Sequence, residues 1–175
     1  GALSAAGDIV IGQNGRADVN LTYGSVNPGG VLILAENIGS TANLTVTGTT
    51  LSLSGENGFR QGSGTANVIL DTATINVGLP GLTSGVDLTL INQNGIVTSG
   101  ADAHLSGILG GTGGLTKSDP GTLTLSGDNT YEGSTTVTLG SLILASDTAL
   151  GDTTTGTTVA SGATLAFTNN IDVGA

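Results

Sequence analysis

Cysteine is absent, which excludes a disulfide framework and thiol catalysis. Basic residues are almost as scarce: three Lys and Arg side chains stand against thirteen Asp and Glu, for a net charge of −10. That balance leaves no basic footprint for nucleic acid and none for anionic lipid. There are four aromatic residues, Tyr23, Phe59, Tyr131 and Phe167. No apolar run is long enough for a signal peptide or a membrane-spanning helix, so direct membrane insertion of this stretch is not expected. No window holds apolar residues at helical spacing over three turns.

What is present is glycine, hydroxyl residues and short alternating strands. Charged residues make up only 9% of the chain, so solubility rests on Thr, Ser, Asn and Gly. The 31 glycines punctuate runs of Val, Ile and Leu, and therefore read as turns rather than as disorder. In Thr122-Leu123-Thr124-Leu125-Ser126 the leucines face one way and the hydroxyls the other, because a strand has a side-chain period of two. Gly127-Asp128-Asn129 follows as a turn, since all three residues tolerate positive φ. The same alternation recurs at Asn43-Leu44-Thr45-Val46-Thr47, Leu51-Ser52-Leu53-Ser54 and Thr135-Thr136-Val137-Thr138-Leu139. Asn27-Pro28-Gly29-Gly30 and Leu79-Pro80-Gly81 are further turn signals.

These units echo one another. Leu51-Ser52-Leu53-Ser54-Gly55-Glu56-Asn57-Gly58-Phe59 parallels Leu123-Thr124-Leu125-Ser126-Gly127-Asp128-Asn129-Thr130-Tyr131, and GVLILA at residues 30–35 parallels GSLILA at 140–145. With one strand per coil, Ile9, Val31, Leu51, Val68, Leu88, Leu105, Leu123, Leu142 and Leu165 recur at roughly 17 to 23 residues, a solenoid spacing. The expected fold is all-β, a right-handed parallel β-helix of roughly nine coils at about 4.8 Å each. The competing fold is an antiparallel β-sandwich. It is disfavoured by the few aromatics, by the lack of two-residue Asn-Gly turns between matched strands, and by echoes that recur in the same order.

Few residues invite chemistry. His104 is flanked by Asp102 and Ser106. On a strand, i−2 and i+2 put all three in one row, which is not a nucleophile, base and orienter arrangement. Asp147 and Asp152 flank a loop and could share a cation; solvated turn carboxylates are the plainer reading. Asp71 and Asp87 could meet between coils, at the cost of repulsion. Arg16, Arg60 and Lys117 are too dispersed to complete a carbohydrate-cleaving cluster. Gly110-Gly111-Thr112-Gly113-Gly114 lacks the Lys-Ser/Thr ending of a phosphate loop. No calcium-repeat or Asp-x-Asp-x-Asp pattern occurs. No catalytic, metal or cofactor-binding residue is therefore assigned, and no cofactor is expected. Phe59 and Tyr131 occupy matching places in the echo; they cover core corners or form a sparse sugar-binding stripe.

Gly-Gly-Leu-Thr-Lys from Gly113, then Gly-Thr-Leu-Thr-Leu-Ser-Gly-x-Asn-Thr-Tyr-x-Gly from Gly121, then Thr-Thr-Val-x-x-Gly-x-Leu from Thr135 resembles the autotransporter-associated β-strand repeat. The unit spans residues 111–144 within a single segment, 1–175. It departs from the family at Ser118-Asp119-Pro120 and Glu132, both in turns. The resemblance implies the passenger domain of a Gram-negative type V secreted protein, extracellular and displayed at the cell surface. Absence of cysteine suits a chain exported unfolded. The chain starts and stops mid-pattern, so it reads as a segment whose export signal and any anchor lie outside it. The implied role is a non-catalytic stalk or filament segment, adhesin-like, whose partner is a host or neighbouring cell surface or another copy end to end. Glycan binding along the polar face is the alternative, with a β-helix polysaccharide lyase or hydrolase behind it.

Overall fold

The computed structural model describes residues 1–152, 154–168 and 171–172. The chain winds through successive levels of short strands. The first level holds β1 (Ala2–Ala5), β2 (Ile9–Ile11) and β3 (Arg16–Thr22), and the second β4 (Ser25–Pro28), β5 (Leu32–Leu34) and β6 (Thr41–Thr47). The third holds β7 (Thr50–Gly55), β8 (Phe59–Gln61) and β9 (Thr65–Asp71), the fourth β10 (Thr74–Ser84) and β11 (Leu88–Ile91). Then follow β12 (Gln93–Val97), β13 (Ala103–Leu105) and β14 (Leu109–Gly110); β15 (Gly114–Ser118) and β16 (Thr122–Leu125); β17 (Thr135–Val137) and β18 (Ser141–Leu144); and β19 (Thr157–Val159) with β20 (Thr164–Phe167).

Each strand pairs in parallel with its counterpart one level on. A first row runs β1-β4-β7-β10-β12-β15-β17-β19, joined in one sheet by a second row of the C-terminal half of β10, β13, β16, β18 and β20. The earlier part of that second row is the separate sheet β2-β5-β8, and the third row is β3-β6-β9-β11-β14. No antiparallel pair and no helix occurs among the described residues, so the fold is a parallel β-solenoid and not a sandwich.

It completes about seven turns, fewer than the expected nine. The excess came from anchoring on two faces of one coil: Leu51 lies in β7 and Val68 in β9, both on the third level. The true step ranges from 19 residues, Leu123 to Leu142, to 27, Leu32 to Phe59. The expected turn at Leu79-Pro80-Gly81 is instead a register shift within β10, between Val77 and Leu82. Leu79 stands 79% exposed there.

Period-two alternation fixes the core. On the first row Val26, Leu51, Ile75 and Ile96 stack inward, each in register with the next. On the second, Ala103, Leu123 and Leu142 do the same beside Leu105, Leu125 and Leu144; on the third, Leu44 pairs with Val68 and Val46 with Leu70. Each fully buried aliphatic side chain contributes about 1.5–3 kcal/mol. The residues between them point outward, and on the first row they are small or polar: Thr50 pairs with Thr74, Gly95 with Thr116, and Thr116 with Thr136. The two echoes differ in placement. GVLILA and GSLILA both supply the second row, whereas Leu51-Leu53 lie on the first row and Leu123-Leu125 on the second.

Candidate functional site

On the second row the outward side chains form an unbroken line. Thr83 is in register with His104, His104 with Thr124, Thr124 with Ile143, and Ile143 with Ala166. An open groove of about 570 Å³ follows this line. Residues 78–81, the extra segment in β10, rise beside it, and Pro80, Glu56 and Asp102 help form its margin. No Lys or Arg lines it.

Asp102, His104 and Ser106 do not bond to one another but engage separate partners. His104 Nε2 lies 2.7 Å from Ser126 Oγ, one level on. Asp102 Oδ1 accepts the Thr122 amide at 2.8 Å, and the Ser106 hydroxyl reaches the Ser84 carbonyl at 3.4 Å. Asp147 and Asp152 serve different loops: Asp147 accepts the Asp172 amide, and Asp152 accepts the Thr154 amide, each at 2.9 Å. Asp71 and Asp87 also part company. Asp71 accepts from Asn92 Nδ2 and Asp87 from the Ile108 amide, each at 2.7 Å. Among the described residues no three His, Cys, Asp or Glu side chains gather where a metal ion could bind.

A common device explains these carboxylates. Asp8, Asp87 and Asp102 each accept an amide one level further along the solenoid, from Val31, Ile108 and Thr122. These three carboxylates thus fasten one coil to the next. Amides do the same on the third row, where Asn67 donates to Asn43 at 2.7 Å and Asn43 donates to Asp18. Hydrogen bonds from Arg16 and Asn43 hold the Asp18 carboxyl below its usual range, and Arg16 is engaged with Asp18 at 2.9 Å. The glycine run at residues 110–114 is a corner in which a Cβ at Gly113 would strike the Asn92 carbonyl.

The aromatics divide into two pairs. Phe59 and Tyr131 are buried, whereas Tyr23 and Phe167 are exposed by 73% and 50%. A sugar-binding stripe through Phe59 and Tyr131 is therefore ruled out, and both cover core corners. Burial raises the Tyr131 hydroxyl above its ordinary value, partly offset by its hydrogen bond with Thr135.

Two polar groups inside the core escaped the sequence reading. Lys117 occupies the inward column of the first row, in register with Ile96 and Val137, and is fully buried. Its Nζ donates to the carbonyls of Ser118 (3.1 Å), Asp119 (2.6 Å) and Leu139 (3.0 Å). Burial lowers its pKa, while the charges of Asp119 and Asp102 oppose the shift. Asn129 is also buried: its Oδ1 accepts the Leu109 amide at 2.9 Å one level back, and its Nδ2 donates to the Ala149 carbonyl at 2.7 Å one level on. The signal for Lys117 was present in the alternation itself, since Leu115-Thr116-Lys117 puts the lysine on the leucine side.

Lys117, Asn129 and Tyr131 fall together within residues 115–144, which match the passenger-associated-transport-repeat family. Over 165 residues, 94% of its length, the chain is 32% identical to the adhesin BmaC autotransporter of Brucella suis biovar 1 (strain 1330). It spans only 4% of that adhesin. No solved structure matches it. Residues 115–144 thus carry a passenger-associated transport repeat, and the solenoid that holds them is similar over most of its length to a short stretch of an autotransporter adhesin.

Proposed function

We propose that this chain is a structural, non-catalytic segment of a secreted passenger, displayed outside a Gram-negative cell as part of an adhesin-like stalk. One observation carries the reading: an unbroken parallel stack whose levels are joined by polar side-chain bonds along its length, from Asp8 and Asn43 to Lys117 and Asn129. A stack of this kind gives length and stiffness, because each level is held by backbone pairing and by the aliphatic columns beneath it. The similarity to an adhesin autotransporter supports the surface setting. Its partner is a host or neighbouring cell surface, or further solenoid stacked on the outermost rungs, where Val159 and Phe167 are exposed.

The test uses the full-length parent protein in its own cells. An epitope inserted beside Ile38, which is 89% exposed, should be reached by antibody on intact cells and lost after external protease. Detection only after permeabilisation would overturn the surface placement. Removing residues 25–49, one whole turn since Ser25 pairs with Thr50, should preserve both display and adhesion. Loss of adhesion with display intact would overturn the stalk role.

A further inference from the structure

We propose that the groove on the second row is a binding site for an extended, neutral oligosaccharide lying along the solenoid axis. The inference uses the previous reading only for its biological setting. The test is made in vitro on this chain, so its failure would leave the surface stalk standing.

The first argument is periodicity. Thr83, His104, Thr124 and Ile143 are successive rungs in exact register, one per level. Levels are about 4.8 Å apart, close to the length of one hexose in a fully extended chain. A linear sugar therefore meets one outward side chain per residue without losing step. A curled sugar chain meets one rung and then leaves the surface.

The second argument is the chemistry of the lining. The side chains of Glu56, Thr122 and Thr124 have no hydrogen-bond partner among the described residues, although Asp8, Asp18, Asn43 and Asp87 elsewhere on the surface are all engaged between coils. A carboxylate and two hydroxyls are thus free to bind hydroxyl groups. Ile143 and Pro80 add apolar surface suited to the C–H face of a pyranose. The third argument is charge. Glu56 and Asp102 stand at the margin, no Lys or Arg lines the groove, and the Lys117 whose charge interacts with Asp102 is buried, in a chain of net charge −10. Uronates, sialylated glycans and phosphates are repelled, and a neutral sugar is accepted. The absence of an aromatic platform implies weak, multivalent binding rather than tight single-site binding.

The experiment is an NMR titration of the 175-residue chain with four probes: cellotetraose, which is extended and neutral; maltotetraose, which curls; tetragalacturonate, which is anionic; and tetralysine. Cellotetraose should give saturable amide shifts centred on Thr83, His104, Thr124 and Ile143. Maltotetraose and tetragalacturonate should bind at least about tenfold more weakly. Thr124→Arg, which fills the groove, should weaken cellotetraose by about tenfold or more, and Ile143→Gln should weaken it as well. Thr136→Arg, equally outward but on the first row, should leave it unchanged. No saturable shift, shifts centred elsewhere, indifference to both groove variants, or equal binding of the anionic tetramer would overturn the proposal. Binding of tetralysine alone would replace the sugar with a basic peptide.

Discussion

Lys117 Nζ donates to the carbonyl of Leu139, 22 residues on and one level along the solenoid, at 3.0 Å. A cation in an aliphatic column is tolerated because three carbonyls converge on it. Lys117→Met keeps the packing volume but removes the donor. The Leu139 carbonyl then loses this partner, and the change should cost about 1–3 kcal/mol, read as a lower urea midpoint.

The same lysine gives a pH dependence whose sign is fixed. Its folded pKa lies below the ordinary 10.5 because burial disfavours the charged form. Between the folded value and 10.5 the unfolded chain binds more protons, so the Lys117 contribution to stability rises with pH across that window and is constant above it. Tyr131 acts oppositely above about pH 10, since burial raises its pKa and the folded state then holds the extra proton. The difference in melting temperature between the wild type and Lys117→Met, followed from pH 7 to 11, isolates the lysine. A difference that does not change with pH would refute the assignment.

Asn129 ties three levels together, from Leu109 behind it to Ala149 ahead. Asn129→Leu leaves a buried amide and a buried carbonyl without their partners, at about 1–3 kcal/mol each. Asn129→Asp keeps the acceptor for Leu109 but opposes a carboxylate to the Ala149 carbonyl, so it should also destabilise. Hydrogen exchange checks the location: the Leu109 amide should lose protection in Asn129→Leu before amides of the first coils do.

The period of two made the strands, the inward leucines and the outward hydroxyls legible, because burial on one face leaves that signature in any sheet. The parallel stack was legible from echoes in a fixed order. Coil count was not, since one coil carries up to three strands of similar composition and nothing local says which row a strand joins; Leu51 and Val68 differ in row, not in pattern. The groove was legible only as residues. Thr83, His104, Thr124 and Ile143 lie about twenty residues apart, and only the register brings them into line. Lys117 and Asn129 were hidden by habit of chemistry: a lysine and a turn asparagine suggest solvent, and only the carbonyls that meet them inside make burial possible.

Gly121 tests the corners. Its φ is +103°, and a Cβ there would clash with the carbonyl oxygen of Ala101 on the level behind. Gly121→Ala should therefore cost about 2–3 kcal/mol, combining backbone strain with displaced pairing. Gly39 has a φ of +79° but open space around its Cβ, so Gly39→Ala should cost only about 1–2 kcal/mol. Equal losses in thermal midpoint would mean that coil-to-coil contact at the corner is not what demands glycine.

Leu125 and Thr124 are neighbours with opposite assignments. Leu125 is fully buried, in register with Leu105 on one side and Leu144 on the other. Leu125→Asp puts a carboxylate between two aliphatic side chains with no cation to meet it, since the interior Lys117 lies on another row and is already bonded to three carbonyls. The loss should exceed about 4 kcal/mol and unfold the central levels at room temperature. Thr124→Asp points outward beside His104 and should change stability by no more than about 0.5–1 kcal/mol. Circular dichroism melts of the two variants decide the matter: a comparable fall in both would mean that inside and outside have been exchanged, and with them the groove.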